Sequence, residues 1–169
     1  MAWLSLLLLV IAAITAVALT GQGFGRLADR GIRRSGLPVI LRSVAALAGA
    51  AAVAFYALGL LGVIGAIMTA QDGGTDSAPP QSCRTAGWWE RHEQGIEIVD
   101  WSVSYLPLGF VCETSDGGSY DNGDVPGYVN PAALGLALTA AGCAVGSGYA
   151  TELRTRRREA RQEGLEEGR

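Results

Sequence analysis

Cys83 and Cys112 are the residues whose type and spacing carry the clearest chemistry. They lie about 30 residues apart in a polar stretch between two apolar runs. A redox-active pair usually needs a Cys-x-x-Cys spacing or a thiolate with basic neighbours, and only Arg84 adjoins Cys83. The pair therefore reads as a structural disulfide, worth about 3–4 kcal/mol for a loop of this length in the chain-entropy account. The third cysteine, Cys143, falls in an apolar run and reads as a small packing residue. His92, flanked by Glu90, Arg91 and Glu93, is the one histidine. A zinc site needs several convergent ligands, and a Ser-His-Asp set would call for a nucleophile elbow that the chain lacks. His92 therefore reads as a solvated surface residue. Asp116, Asp121, Asn122 and Asp124 occupy glycine-rich turns that offer oxygen ligands, but their spacing is not that of an EF-hand and no glutamate closes the loop. The expectation is no catalytic, cofactor or metal site, and no enzyme.

These residues belong to an insert over 70–130 that must hold them. It carries ten acidic residues against Arg84 and Arg91, a net charge of −8. Residues 71–82 have a linker's composition. CRTAGWWERHEQG, from Cys83, suggests a short helix or turn. IEIVDWSVSY alternates as a strand, with Val99, Trp101, Val103 and Tyr105 on one face. Pro107 and Gly109 suggest a turn, FVCET a second strand, and Ser119–Tyr120 a third after a DGG turn. So small a module needs a staple. Trp88 and Trp89 are expected either against a lipid leaflet or packed under the bridge.

The whole chain, acidic insert included, still has a positive mean hydropathy of +0.26, so the segments around the insert are strongly apolar. Residues 3–20 form an uncharged run, read as a retained membrane helix rather than a cleaved signal because arginines follow it instead of preceding it. Gly21, Gly23 and Gly25 are expected to break that helix. A loop over 21–40 follows, with Arg26, Arg30, Arg33 and Arg34 inside it and Arg42 just beyond; its GQGFG lacks the context of a phosphate loop. A second span over 41–69 has no charge from Ser43 to Thr69. It would run about 40 Å at 1.5 Å per residue, longer than a hydrocarbon core of about 30 Å, so it should tilt or project its last turn. Pro131 to Ala150 makes a third span, with Asn130 as its expected N-cap. There Gly135 heads one small-residue row, and Gly142 with Gly146 forms a GxxxG on another. Packing of these glycines against the second span is preferred to a dimer contact. The tail, 151–169, pairs Glu152 with Arg156 at i,i+4 and should fray after Gly164. Its acids nearly cancel its arginines and no aromatic is interleaved, which argues against nucleic acid.

The fold class expected is a membrane α-helical chain: three transmembrane helices with a disulfide-stapled, strand-containing insert between the second and third. All 13 basic residues are arginine, and they cluster in the 21–42 stretch and the tail. The positive-inside rule then places those two segments in the cytoplasm, and the N-terminus and the insert outside.

PLGFVCETSDGG, at 107–118, together with this topology, resembles small multi-pass membrane proteins of an uncharacterised actinobacterial family. The resemblance implies a membrane location and no activity, cofactor or substrate. Two functions stay open. One is an accessory protein that binds a membrane-protein partner, a second copy of itself or an envelope component. The other is an external binding or sensing module that reports to the tail. Transport is disfavoured, since no ionisable residue lies deep within a span.

Overall fold

The computed structural model describes residues 2–30, 36–71, 79–85 and 88–167. Four helices and one three-stranded sheet follow in the order α1 (Ala2–Arg30), α2 (Leu37–Gln71), α3 (Trp88–Glu93), β1 (Ile98–Tyr105), β2 (Leu108–Thr114), β3 (Ser119–Asp121) and α4 (Val129–Glu167), with a 3-10 turn at Gln81–Cys83 before α3. Three of the helices, α1, α2 and α4, are long and apolar enough to cross a membrane. Arg33 and Arg34 of the expected loop, and Asp72 and Asp76 of the expected linker, lie outside the described residues. The chain divides into two compact units, Met1–Ile14 with Val53–Ala133, and Thr15–Ala52 with Leu134–Arg169.

Helix boundaries depart from expectation at several points. α1 does not break at Gly21, Gly23 and Gly25 but runs on to Arg30. Each glycine weakens a helix by about 1 kcal/mol. At Gly23 the missing side chain is used, because a Cβ there would lie 2.8 Å from Leu47 of α2. α2 starts at Leu37, with Pro38 in its first turn, where no N–H partner is lost. α4 begins at Val129 and continues to Glu167, past the expected fraying at Gly164. The Arg156 guanidinium meets Glu152 at 3.0 Å on its surface, the expected i,i+4 pair.

The first unit is built around the sheet. β1 and β2 form an antiparallel hairpin joined at Leu106–Pro107, a cis peptide, and β3 adds antiparallel to β2. The turn is therefore Leu106–Pro107, and Gly109 lies within β2 rather than in the turn. One face of β2 presents Leu108, Phe110, Cys112 and Thr114, all buried. Opposite them on β1 stand Tyr105, Val103, Trp101 and Ile98. The expected face included Val99, and here the structure differs. A bulge between Ile98 and Asp100 leaves Val99 unpaired and 63% exposed, while Ile98 takes the core position. One extra residue switches side-chain direction by one step, which an alternation rule cannot foresee.

The core that this face covers is not supplied by the insert alone. Leu60, Val63, Ala66 and Ile67 of α2 are at most 2% exposed and pack with Leu108, Phe110, Cys83, Cys112, Val125 and Val129. Leu8 and Leu9 of α1 flank the same cluster. Trp101 stacks on Phe110 at 5.0 Å between ring centroids. The end of α2 is thus the module's central core element. It removes the size problem that so short an insert would otherwise face.

The second unit packs differently. Its buried residues are small: Ser43, Ala46, Ala50 and Ala52 of α2, and Ser147 of α4. A Cβ on Gly49 would approach Leu19 of α1 at 3.4 Å and Ala140 of α4 at 3.7 Å. Arg154 of α4 backs Gly36, just ahead of α2.

Candidate functional site

Cys83 and Cys112 form the disulfide, with a Cα–Cα separation of 5.9 Å and 0% exposure at both residues. Cys112 is placed by β2, opposite Trp101. Cys83 is placed by the 3-10 turn, which is itself tied to α2 by the Ser82 hydroxyl donating to the Ala66 carbonyl at 2.7 Å. Tyr120 of β3 donates its hydroxyl to the Cys83 carbonyl, and the Arg91 guanidinium covers the Tyr120 ring at 4.4 Å. Burial raises the Tyr120 hydroxyl above its ordinary pKa, with Arg91 opposing. A bridge so enclosed is a staple, closed to thiol exchange without unfolding. Cys143 is free and half-buried on α4.

A second set of bonds fixes the module on its helices. Asn130 lies inside the first turn of α4 rather than capping it. Its side-chain amide donates to the Leu108 carbonyl and accepts from the Leu108 N–H, both at 2.9 Å. Tyr56 of α2 donates to the Tyr105 carbonyl at 3.1 Å, and the Tyr105 and Ser5 hydroxyls share a bond of 3.2 Å. Gly62 of α2 is a close approach, where a Cβ would lie 2.6 Å from the Asp124 carbonyl oxygen. The sequence pointed to none of these ties; Asn130 was singled out only as a helix cap.

The acidic turns use their oxygens locally. Asp116 accepts from the Thr114 hydroxyl and the Gly118 N–H, which hold its carboxyl below the ordinary 3.8. Asp121 accepts from the Gly123 N–H, and Asn122 and Asp124 bond each other. Among the described residues no group of three His, Cys, Asp or Glu side chains is placed to hold a metal ion. His92 is exposed and stacks on Trp88 at 5.1 Å, with Trp89 edge-on to Trp88 at 4.4 Å and 68% exposed. Trp88 and His92 line an open cleft of about 220 Å³ with Pro79, Glu97 and Ile98. Trp88 and Trp89 therefore pack on each other and on His92.

Apolar surfaces are left uncovered on all three long helices, on α1 at Trp3, Leu7, Val10, Ile14 and Val17. On α2, Leu58, Leu61 and Met68 are 52–59% exposed, and Gly65 meets nothing within 4 Å. They recur at steps of three and four, one helical ridge, on the side away from Leu60, Val63 and Ile67. On α4, Gly135 and Gly142 meet nothing within 4 Å, and Gly146 approaches only Leu41 of α2, at 3.8 Å. Gly135 and Gly142 therefore do not pack on the second span as expected, because the α4 face that carries them is turned away from α2. The second unit also has a groove of about 620 Å³, lined by Leu19, Gln22, Arg42 and small residues of α2 and α4. No family model, no curated protein and no solved structure matches the chain.

Proposed function

We propose that this chain is an integral membrane accessory protein that uses an external, disulfide-stapled module and an adjoining apolar ridge to bind a partner membrane protein. Three apolar helices support the membrane setting. The arginine distribution supports a cytoplasmic 21–42 stretch and tail, with the N-terminus and module outside. An external site is where a disulfide persists.

The observation that carries the reading is the α2 ridge. Leu61, Gly65 and Met68 alternate along the helix with Val63, Ala66 and Ile67, which pack under the sheet. The outer side of that sheet is polar, with Asp100, Ser102, Glu113 and Ser119 exposed. The ridge therefore shares its height with charged groups that lipid would not accept. An apolar ridge with a glycine gap, standing beside such a surface, fits an apolar helix of another membrane protein that projects to the same height. No step of chemistry is assigned to the module.

Photo-crosslinking in cells tests this, with a photoreactive residue at Met68 and a control at Ser119. The expected result is a protein adduct from position 68 alone, abolished by Leu61→Glu. Lipid adducts alone, or equal yields at both positions, would contradict it. The sensing alternative draws on α4, one unbroken helix from the Asn130 clasp on Leu108 to the tail. It predicts that a change in the module alters the protection of residues 151–167 from proteolysis.

A further inference from the structure

We propose that the tip of the β1–β2 hairpin, Leu106–Pro107, inserts into the headgroup–acyl boundary of the outer leaflet, and that α2 leaves the hydrocarbon between Tyr56 and Gly62. The proposal rests on the membrane reading above and adds a lipid-contacting element that is not a helix.

The hairpin runs alongside α2 with its tip toward the middle of that helix. Near the tip, the Tyr105 carbonyl is held by Tyr56, and Leu108 lies against Gly59, where a Cβ would approach its side chain at 2.6 Å. Farther from the tip, Cys112 is bridged to Cys83, whose neighbour Ser82 bonds the Ala66 carbonyl. Moving from residue 108 to residue 112 of β2 thus climbs from Gly59 to Ala66 on α2. Leu106 is one step beyond the Tyr56 bond and is 91% exposed. A leucine so exposed at a turn has no partner in the module. Val10, Ile11 and Ile14 of α1 and Leu58 of α2 are likewise more than half exposed.

Charge sets the upper limit. Asp121 stands over Gly109, and the Asp124 carbonyl backs Gly62, both only a few residues above the tip and both on exposed residues. Those carboxylates belong in water, so the boundary falls between them and Leu106. Tyr128, 64% exposed, and Asn130 lie at this height through the Leu108 clasp, and an aromatic at the headgroup level is the usual anchor. Helix lengths agree. α2 back from Gly59 to Leu37 and α4 onward from Asn130 to Ala150 each cover about 30 Å at 1.5 Å per residue, one hydrocarbon thickness. The rest of α2, to Gln71, then projects about 18 Å as the core of the module. The hairpin's backbone at the tip can be tolerated there because Pro107 lacks an N–H and its carbonyl accepts from the Ser104 hydroxyl at 2.6 Å.

Spin labels on single cysteines in a Cys143→Ala background test the placement in proteoliposomes, by comparing accessibility to oxygen and to a water-soluble nickel chelate. Leu138 of α4 serves as the hydrocarbon reference and Ser119 as the aqueous one. The proposal expects the label at Leu106 to favour oxygen, between the two references and nearer Leu138, with the label at Thr69 matching Ser119. A label at Leu106 matching Ser119 puts the tip in water and overturns the proposal while the membrane reading stands. A label at Thr69 matching Leu138 keeps α2 in lipid to its end and overturns it equally. If Leu138 itself matches Ser119, the membrane reading fails and the proposal falls with it.

Discussion

The two units of this chain bury different kinds of residue. In the first, the buried set is large: Leu60, Val63, Ile67, Leu108, Phe110 and a disulfide. In the second it is alanine and serine with Pro38, and helices meet at Gly23 and Gly49. The first is the pattern of a water-driven core, where each buried large side chain contributes about 1.5–3 kcal/mol. The second is the pattern of helices that meet by close van der Waals approach, as they do where lipid removes the hydrophobic gain. One helix, α2, takes part in both. Its first half is buried at Ser43, Ala46, Ala50 and Ala52, and its second at Leu60, Val63, Ala66 and Ile67.

That contrast is broken most strongly at Phe110. Phe110→Ala removes the ring that Trp101 stacks on from a site with 0% exposure. A loss of about 3–5 kcal/mol is expected in the module, read as a lowered unfolding midpoint for β2 by near-ultraviolet circular dichroism. The helical signal of α4 should hardly change.

Next in size is the bridge. Cys83 and Cys112 are 29 residues apart, and reduction or the paired serine substitution should destabilise the module by about 3–4 kcal/mol. Mass spectrometry of non-reduced peptides should find this pair oxidised and Cys143 reduced.

Two glycines sharpen the same comparison. At Gly62 an added methyl meets the Asp124 backbone, so Gly62→Ala should cost about 1–3 kcal/mol of module stability. Among the described residues a Cβ at Gly142 meets nothing within 4 Å, so Gly142→Ala should cost no stability and, by removing a glycine from a helix interior, raise it by up to about 1 kcal/mol. A large effect at Gly142 in purified protein would reveal a contact with a second chain.

The smallest effect is one of pH. The Asp116 carboxyl is lowered by its hydrogen bonds from Thr114 and Gly118, so its ionised form favours the folded turn. That contribution is present above the ordinary value of 3.8 and is lost as pH falls through the lower folded-state value. Asp116→Asn should flatten this part of a stability-against-pH curve. The group is fully exposed, and the change should be slight.

Much of the architecture was legible from residue patterns. Charge-free runs gave the three long helices, turn residues bracketed the three strands, and Cys83 and Cys112 were paired by elimination. What was hidden has a common cause. The bulge at Val99, the turn at Leu106–Pro107 and the Asn130 clasp depend on neighbours far along the chain. So does the main surprise, that α2 from Leu60 onward is the core of the module. Apolar residues bound for a membrane and those bound for a protein interior look alike in sequence, and only the facing sheet tells them apart. The open side of Gly142 is hidden for the same reason: spacing identifies a small-residue row but not which neighbour it faces.

Hydrogen exchange in proteoliposomes tests most directly the claim that the end of α2 and the module are one folded body outside the bilayer. Before reduction, residues 63–71 and 108–114 should both be protected. After reduction of Cys83–Cys112 the account predicts that the two segments lose protection together, while residues 44–56 of α2 keep theirs. Continued protection of 63–71 after 108–114 has opened would place that stretch in lipid and contradict it.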